Sequence, residues 1–289
     1  MPDTDPLPSC ASGGTLREHA LHILRIDDPI EKASAARALG EQCARPPGAA
    51  AQLVVPDWPG RPSRPVLVSP RELKRRSMAS ESGRAALLHA LAHIEFNAIN
   101  LALDAMVRFA GLPDAFYTDW LKVAAEEGLH FSLLRERLAE MGVSYGDFPA
   151  HDGLWTMALA TREDAMARMA LVPRTLEARG LDASPPIRAR LAQAGDLRAA
   201  AILDVILHDE IGHVAIGNYW YRWLAHRAGV DPVAHYAVLA AQYGAPRLKG
   251  PFNLDARRAA GFQEDELAVL CADHAEAPHA GTAERRHAS

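Results

Sequence analysis

Four glutamates lie where the sequence predicts the apolar face of a helix. Glu95, for example, falls four residues after Leu91 and four before Ile99. Burying an unpaired carboxylate is costly, because the ion loses its hydration. One such glutamate could be an accident of helical register, but four, one in each predicted long helix, indicate a shared cation. The four are Glu95, Glu127, Glu177 and Glu210.

Two of these glutamates begin a Glu-x-x-His motif. A histidine stands three residues after Glu127, at His130, and three residues after Glu210, at His213. This spacing puts both side chains of a motif on one face of a helix. Carboxylates combined with imidazoles suit iron or manganese. The six residues are therefore predicted to hold two metal ions.

The distances along the chain divide the candidate ligands into two similar hairpins. Glu127 follows Glu95 by 32 residues, and Glu210 follows Glu177 by 33. Two helical hairpins with the same ligand pattern are what a pseudo-twofold dinuclear site requires. The alternative is an ordinary bundle with buried Glu–His or Glu–Arg pairs, in which Arg174 and Arg179 are the candidate partners of Glu177.

Two further residues are candidates for groups around the metals. His89, six residues before Glu95, is a candidate additional ligand or a group that supports the ligands from outside. Asp204 is the candidate acceptor for the second N–H of a ligating imidazole. Asp209, directly before Glu210, is expected to point outward.

Helix-forming residues and their punctuation predict the elements that carry these side chains. Ala, Leu, Glu and Arg dominate four long segments, and glycines, prolines and capping residues separate them. Interior helix is excluded at 45–70, which holds seven prolines. The fold class is predicted to be all-α, a four-helix bundle with additional N- and C-terminal helices. The long helices are predicted at 82–110, 114–141, 152–180 and 196–228, with a short helix at 185–194.

These predicted elements divide the chain into five parts. Residues 1–14 and 275–289 are predicted disordered tails. Residues 15–79 are predicted to form N-terminal helices and a proline-rich arm that packs on the bundle. The bundle itself is assigned to 80–230, and a helical extension to 231–274.

Composition excludes several classes of protein. The 289 residues include 31 Lys and Arg against 36 Asp and Glu, a net charge of −5, which disfavours a surface built wholly for nucleic acid. Three scattered cysteines disfavour a disulfide framework or a zinc–thiolate site. We expect no membrane span and no secretory signal, and hence a cytoplasmic location. A basic run from Arg61 to Arg76 could contact RNA, although a solvated arm is the favoured interpretation.

Seven segments resemble the bacterial ferritin-like family catalogued as domain of unknown function 455. They are 88–95, 125–131, 145–155, 174–182, 209–213, 249–253 and 260–262. The resemblance implies a ferritin-like fold with a dinuclear metal site, in which Glu127 and Glu210 bridge the metals. Glu95 and Glu177 would be terminal ligands, and each histidine would bind one metal. The architecture is more distantly similar to di-iron tRNA hydroxylases, rubrerythrins and ferritins.

These features predict a di-iron oxidoreductase that activates O2 or peroxide. Fe/Fe is the expected metal pair, with Mn/Fe and Mn/Mn left open, and the substrate would be a small molecule or a modified nucleoside. Neither the electron donor nor the oligomeric state is indicated, although a homodimer is typical of such bundles. One alternative is iron handling or peroxide removal without an organic substrate. Another is a structural or binding module whose metal only staples the bundle.

Overall fold

The computed structural model describes residues 13–41, 45–73 and 76–275, and this part of the chain is all-α as predicted. The disordered tails predicted at 1–14 and 275–289 fall almost wholly outside these residues. The helices are α1 (Leu16–Leu24), α2 (Pro29–Glu41), α3 (Glu81–Arg108), α4 (Asp114–Glu140), α5 (Gly153–Ala160), α6 (Ala165–Leu171), α7 (Ala178–Gln193), α8 (Leu197–Ala228), α9 (Pro232–Gln242), α10 (Leu254–Ala259) and α11 (Glu264–Ala275).

Three long helices form the centre of the molecule. Helix α3 packs along α4, and α8 contacts α4, α6 and α7. Side-chain caps define where two of them begin: the Ser80 hydroxyl accepts from the Gly83 amide, and the Asp196 carboxylate accepts from the Ala199 amide. Gly229, at φ 69°, ends α8 in the left-handed conformation that glycine adopts without strain. These boundaries lie within two residues of those predicted.

The predicted third helix is wrong in its continuity. Residues 161–164 interrupt it, and a π-helical turn, Val172–Glu177, separates α6 from α7. Helix α7 then continues past Gly180, the predicted end, and includes Pro185 and Pro186. Pro185 lacks an N–H to donate to the carbonyl of Leu181, and the side chain of Asn253 donates to that carbonyl instead, at 3.2 Å.

The proline-rich arm is non-helical where it is described, as predicted, and it lies against the bundle. The amide of Gly60 donates to the carbonyl of Leu24 at 2.8 Å, and the indole of Trp155 donates to the carbonyl of Asp57 at 3.0 Å. One isolated parallel bridge joins Leu67 to Ala150. Helix α1 contacts α3, and α2 contacts α4.

Helix α3 is long and apolar enough to cross a membrane by length and composition alone. However, 72% of its most apolar window is buried inside the protein. Its place in the core accounts for its composition, since a helix enclosed by other helices is apolar on most of its faces.

Close packing between α8 and the π-helical turn depends on a glycine. A Cβ at Gly217 would lie 2.6 Å from the Cβ of Pro173, whereas a Cβ at Gly212 would meet nothing within 4 Å. We expect Gly217→Ala to lower the free energy of unfolding by about 1 to 3 kcal/mol, because the helix must move away from the turn. Gly212→Ala is the control, and it should raise that free energy by up to about 1 kcal/mol. Urea unfolding in EDTA measures both, and equal effects would contradict the close packing at Gly217.

Candidate metal centre

All six predicted ligands are buried in one region of the bundle. Helix α3 supplies Glu95, α4 supplies Glu127 and His130, the last residue of the π-helical turn is Glu177, and α8 supplies Glu210 and His213. Four of them, Glu95, Glu127, His130 and Glu210, each offer a ligand atom, and these atoms all lie within 4.8 Å of one another.

Glu127 lies between the two histidines. Its Oε2 is 3.3 Å from Nδ1 of His130, and its Oε1 is 3.0 Å from Nδ1 of His213. Nδ1 of His130 also lies 3.6 Å from Oε2 of Glu95, and Nδ1 of His213 lies 4.0 Å from Oε1 of Glu210. Both imidazoles therefore direct Nδ1 toward the carboxylates, and Glu127 is the carboxylate that faces both.

Several polar atoms of this cluster are buried without a hydrogen-bond partner. Each of the four glutamates has one such oxygen, and Nδ1 of His213 also lacks a hydrogen-bond partner. Buried polar atoms are almost always hydrogen-bonded, because the lost hydration is otherwise uncompensated. Bound cations would satisfy them, so the donor set fits the predicted metals. The atoms are Glu95 Oε2, Glu127 Oε1, Glu177 Oε2, Glu210 Oε2 and His213 Nδ1.

Each imidazole donates away from the cluster to an acidic side chain of the opposite helix. Nε2 of His130 lies 2.9 Å from Oδ2 of Asp209 on α8, and Nε2 of His213 lies 2.8 Å from Oε2 of Glu126 on α4. The acid that precedes one Glu-x-x-His motif thus supports the histidine of the other. This arrangement fixes both rings with Nδ1 toward the carboxylates.

The prediction that Asp204 supports a ligating imidazole is wrong. Asp204 lies on the exposed side of α8 and pairs with Arg188 at 2.9 Å. Asp209, expected to point outward, takes the predicted role, and Glu126 was missed. The signal for both was the acid directly before each motif. Adjacent residues of a helix are rotated by about 100° from one another. The side chain before a ligand therefore lies beside the ligand face and can still reach a histidine on the neighbouring helix.

The contacts of His89 lie with the 144–148 loop rather than with the carboxylates. Its Nε2 accepts from the amide of Gly146 at 2.8 Å, and its ring stacks on Tyr145 with centroids 5.3 Å apart. Burial lowers the pKa of His89 to about 4, which keeps the ring neutral and able to accept. His89 therefore anchors the loop that comes after α4.

The proposed arginine partners of Glu177 do not pair with it. Arg174 pairs with Glu266 at 2.9 Å, and Arg179 is exposed. Among the described residues no lysine or arginine forms an ion pair with the four cluster glutamates. The two histidines are therefore the cations in direct contact with the cluster, while the charge of buried Arg168 acts on Glu177 without pairing with it.

Burial and mutual repulsion dominate the electrostatics of the cluster. Burial and the charge of Glu127 raise the pKa of Glu95 and of Glu177 to about 8, and the pKa of Glu210 also rises well above its ordinary value. Burial opposes ionisation of Glu127 as well, but the hydrogen bond with His130 and the charge of His213 outweigh it and lower its pKa.

The basic arm is partly occupied by contacts within the chain. Arg61 pairs with Asp152 at 2.9 Å and lies over the ring of Trp58 at 4.9 Å. Arg76 lies over Phe148 at 4.8 Å. Lys74 and Arg75 lie outside the described residues, and RNA binding by this arm stays a prediction.

Two comparisons with known proteins bear on the family of this chain. The model of the family described as "Protein of unknown function (DUF455)" matches residues 25–268. The chain belongs to this family. A relative from Haemophilus influenzae, described as an uncharacterized protein, is 53% identical over 213 residues, which are 71% of this chain and 74% of the relative. No solved structure matches the chain significantly.

The acid behind each histidine should control metal affinity. Asp209→Asn removes the charged acceptor of His130, so we expect about 10- to 100-fold weaker binding of Mn(II) or Fe(II). Asp204→Asn is the matched control on the same helix and should leave affinity unchanged. Anaerobic calorimetric titration measures both variants. Equal affinity in the two would contradict the role assigned to Asp209.

The metal-free protein should lose stability as pH rises. The folded-state pKa values of Glu95 and Glu177 are about 8 against an ordinary 4.5. Between these pH values the carboxyls ionise in the unfolded chain but stay protonated in the folded one, so the free energy of unfolding falls as pH rises. Burial lowers the pKa of His213, but the hydrogen bond to Glu126 and the nearby charge of Glu127 raise it to about 10. The stabilisation that the charged imidazole contributes to the fold is therefore also lost as pH rises.

We expect the free energy of unfolding in EDTA, measured by urea, to fall between about pH 5.5 and pH 9. Bound metal should reverse this slope, because it binds the deprotonated carboxylates and releases their protons. A flat profile without metal would show that these carboxyls ionise without cost.

Proposed function

We propose that this chain is a ferritin-like dinuclear oxidoreductase that binds two iron ions and activates O2 or peroxide. The observation that carries the proposal is the convergence of four buried carboxylates, each with an unpartnered oxygen, around two imidazoles. An apolar bundle has no stability reason to keep four such groups, because a buried charge without a partner costs several kcal/mol. A pair of divalent cations neutralises this charge.

The donor set suits iron and manganese, and iron is the metal that we propose. Carboxylate oxygens and imidazole nitrogens suit both, and the described ligands include no thiolate. In this proposal Glu127 and Glu210 would each hold both metals, and the place of Glu127 between His130 and His213 suits that role. Glu95 and Glu177 would each hold one metal, as the family resemblance implies.

The protein's own residues hold and orient the metals and connect them to solvent. Two irons at such a site supply electrons and binding positions for O2 or peroxide. His130 and His213 offer Nδ1 inward and donate from Nε2 to Asp209 and Glu126. The side chains of these two acids are 19% and 27% exposed, so each gives a ligating imidazole a route for proton exchange with water.

The proposed substrate is a small organic molecule, and the segments outside the bundle support this over metal storage. Helices α1 and α2 contact α3 and α4, while α9 and α10 contact α8. Helices from both hairpins that supply the cluster are therefore covered by structure that a storage bundle does not need. A modified nucleoside reached through the basic arm is the other substrate class.

The test is metal content and then the response to O2. Protein loaded anaerobically with Fe(II) should hold about two irons per chain and develop a new absorption band when O2 is admitted. Glu127→Ala removes a carboxylate that would hold both metals and should lower the content below two. Glu136→Ala, an exposed glutamate on the same helix, is the control and should keep both.

Three outcomes would change the conclusion. Full metal content in Glu127→Ala would remove the ligand assignment. Two metals with no response to O2, together with unfolding on chelation, would indicate a metal that only staples the bundle. Rapid peroxide consumption by the iron form with no organic substrate would favour peroxide removal.

A further inference from the structure

Glu177 reaches the cluster from a different kind of backbone than the other glutamates. Glu95, Glu127 and Glu210 lie within the continuous helices α3, α4 and α8, whereas Glu177 ends the π-helical turn. A π-helical turn widens the helix by one residue and shifts the register of the residues after it. The position of Glu177 therefore depends on the contacts that hold the turn in place.

Arg174, within the turn, is held by residues remote from the cluster. Its side chain is 5% exposed, and it donates to Oδ1 of Asn218 on α8 at 2.5 Å and to Oε1 of Glu266 on α11 at 2.9 Å. Its guanidinium also lies over the rings of Tyr236 and Phe262, at 5.3 and 4.7 Å. The guanidinium thus joins the turn to three other elements of the fold.

Glu266 is the only carboxylate that the described structure pairs with this guanidinium. Its second oxygen, Oε2, accepts from Arg222 on α8 at 2.6 Å and from the amide of Gln263 at 2.8 Å. One buried carboxylate therefore links the π-helical turn to α8 through α11. Because Arg174 precedes Glu177 by three residues, a displacement of its side chain is transmitted within one turn of helix.

We propose that Glu266 is a positioning residue for the metal centre, which acts through Arg174 to set Glu177 and thereby the affinity for the second metal. The inference rests on the two-metal site proposed above. The group of Glu95, Glu127, His130 and Glu210 is compact without Glu177. The first metal binds in that group, and Glu177 with His213 completes the second position.

The test compares two ion pairs that fasten the C-terminal extension. Glu266→Gln removes the charge that holds Arg174 and keeps the size of the side chain. Glu264→Gln is the control on the same helix, because Glu264 pairs with exposed Arg258 at 2.7 Å and fastens α11 to α10, away from Arg174 and the π-helical turn. Anaerobic Fe(II) titration of the full chain, monitored by calorimetry, resolves the two binding steps.

We expect Glu266→Gln to weaken the second step by about tenfold or more and the first by less than twofold. Glu264→Gln should leave both steps within about twofold of the unmodified chain. Equal weakening of both steps in Glu266→Gln, or the same loss of the second step in Glu264→Gln, would overturn the proposal. A chain that binds no iron before substitution would refute the two-metal function instead.

A milder variant covers the case in which Glu266→Gln does not fold. The side chain of Arg222 is 28% exposed, and it donates to Oε2 of Glu266 and to the carbonyl of Gly261 but not to Oε1 of Glu266, which Arg174 contacts. Arg222→Gln loosens Glu266 and leaves Arg174 its charged partner, so we expect a smaller loss, about threefold, confined to the second step. An unchanged second step in a folded Arg222→Gln protein would count against the link between α11 and Glu177.

Discussion

Four buried carboxylates that oppose one another's ionisation are the constraint on which the rest of this structure depends. Their repulsion and desolvation raise the pKa of Glu95 and Glu177 to about 8, and within the described part of the protein only two imidazoles lie within ion-pair distance of these glutamates. The surrounding helices must therefore hold four groups together that separate spontaneously in water. Asp209 and Glu126 also hold the cluster in place, because each fixes the orientation of a histidine ring whose Nδ1 faces the carboxylates.

The two halves of the site reach similar ends by different backbones. In the first hairpin, α3 and α4 are unbroken, and Glu95 and Glu127 follow from their helical spacing. In the second, the helix is divided and Glu177 is delivered by the π-helical turn. Pro173 in that turn lacks an amide hydrogen, and Gly217 on α8 leaves the room that its ring needs. The candidate ligands are therefore related by approximate symmetry, but the backbone elements that carry them are not.

The residues that must be buried in a helix could be predicted from the sequence. The residues whose role depends on a contact with another helix were missed. The six cluster residues and three long helices follow from apolar periodicity, because a carboxylate on an apolar stripe stands out. The acid before each motif marks Asp209 as a candidate, but its contact with His130 depends on the crossing of α4 and α8, which the pattern of one helix does not contain. The passage of α7 through Pro185 depends on Asn253, 68 residues away, which satisfies the carbonyl of Leu181.

The segments outside the bundle complete the enclosure of the charged cluster. A Cβ at Gly128, the residue after Glu127, would lie 2.7 Å from the carbonyl of Ala33, so α2 lies directly on α4 beside the cluster. Lys32, next to Ala33, is buried and donates to carbonyls of Leu24 and Gly60, which ties α1, α2 and the arm together. Burial lowers the pKa of Lys32 to about 7, so this tie is itself costly. Helix α2 thus covers α4 although burying Lys32 is unfavourable. This cover excludes water from the cluster, where electrostatic interactions are stronger without water.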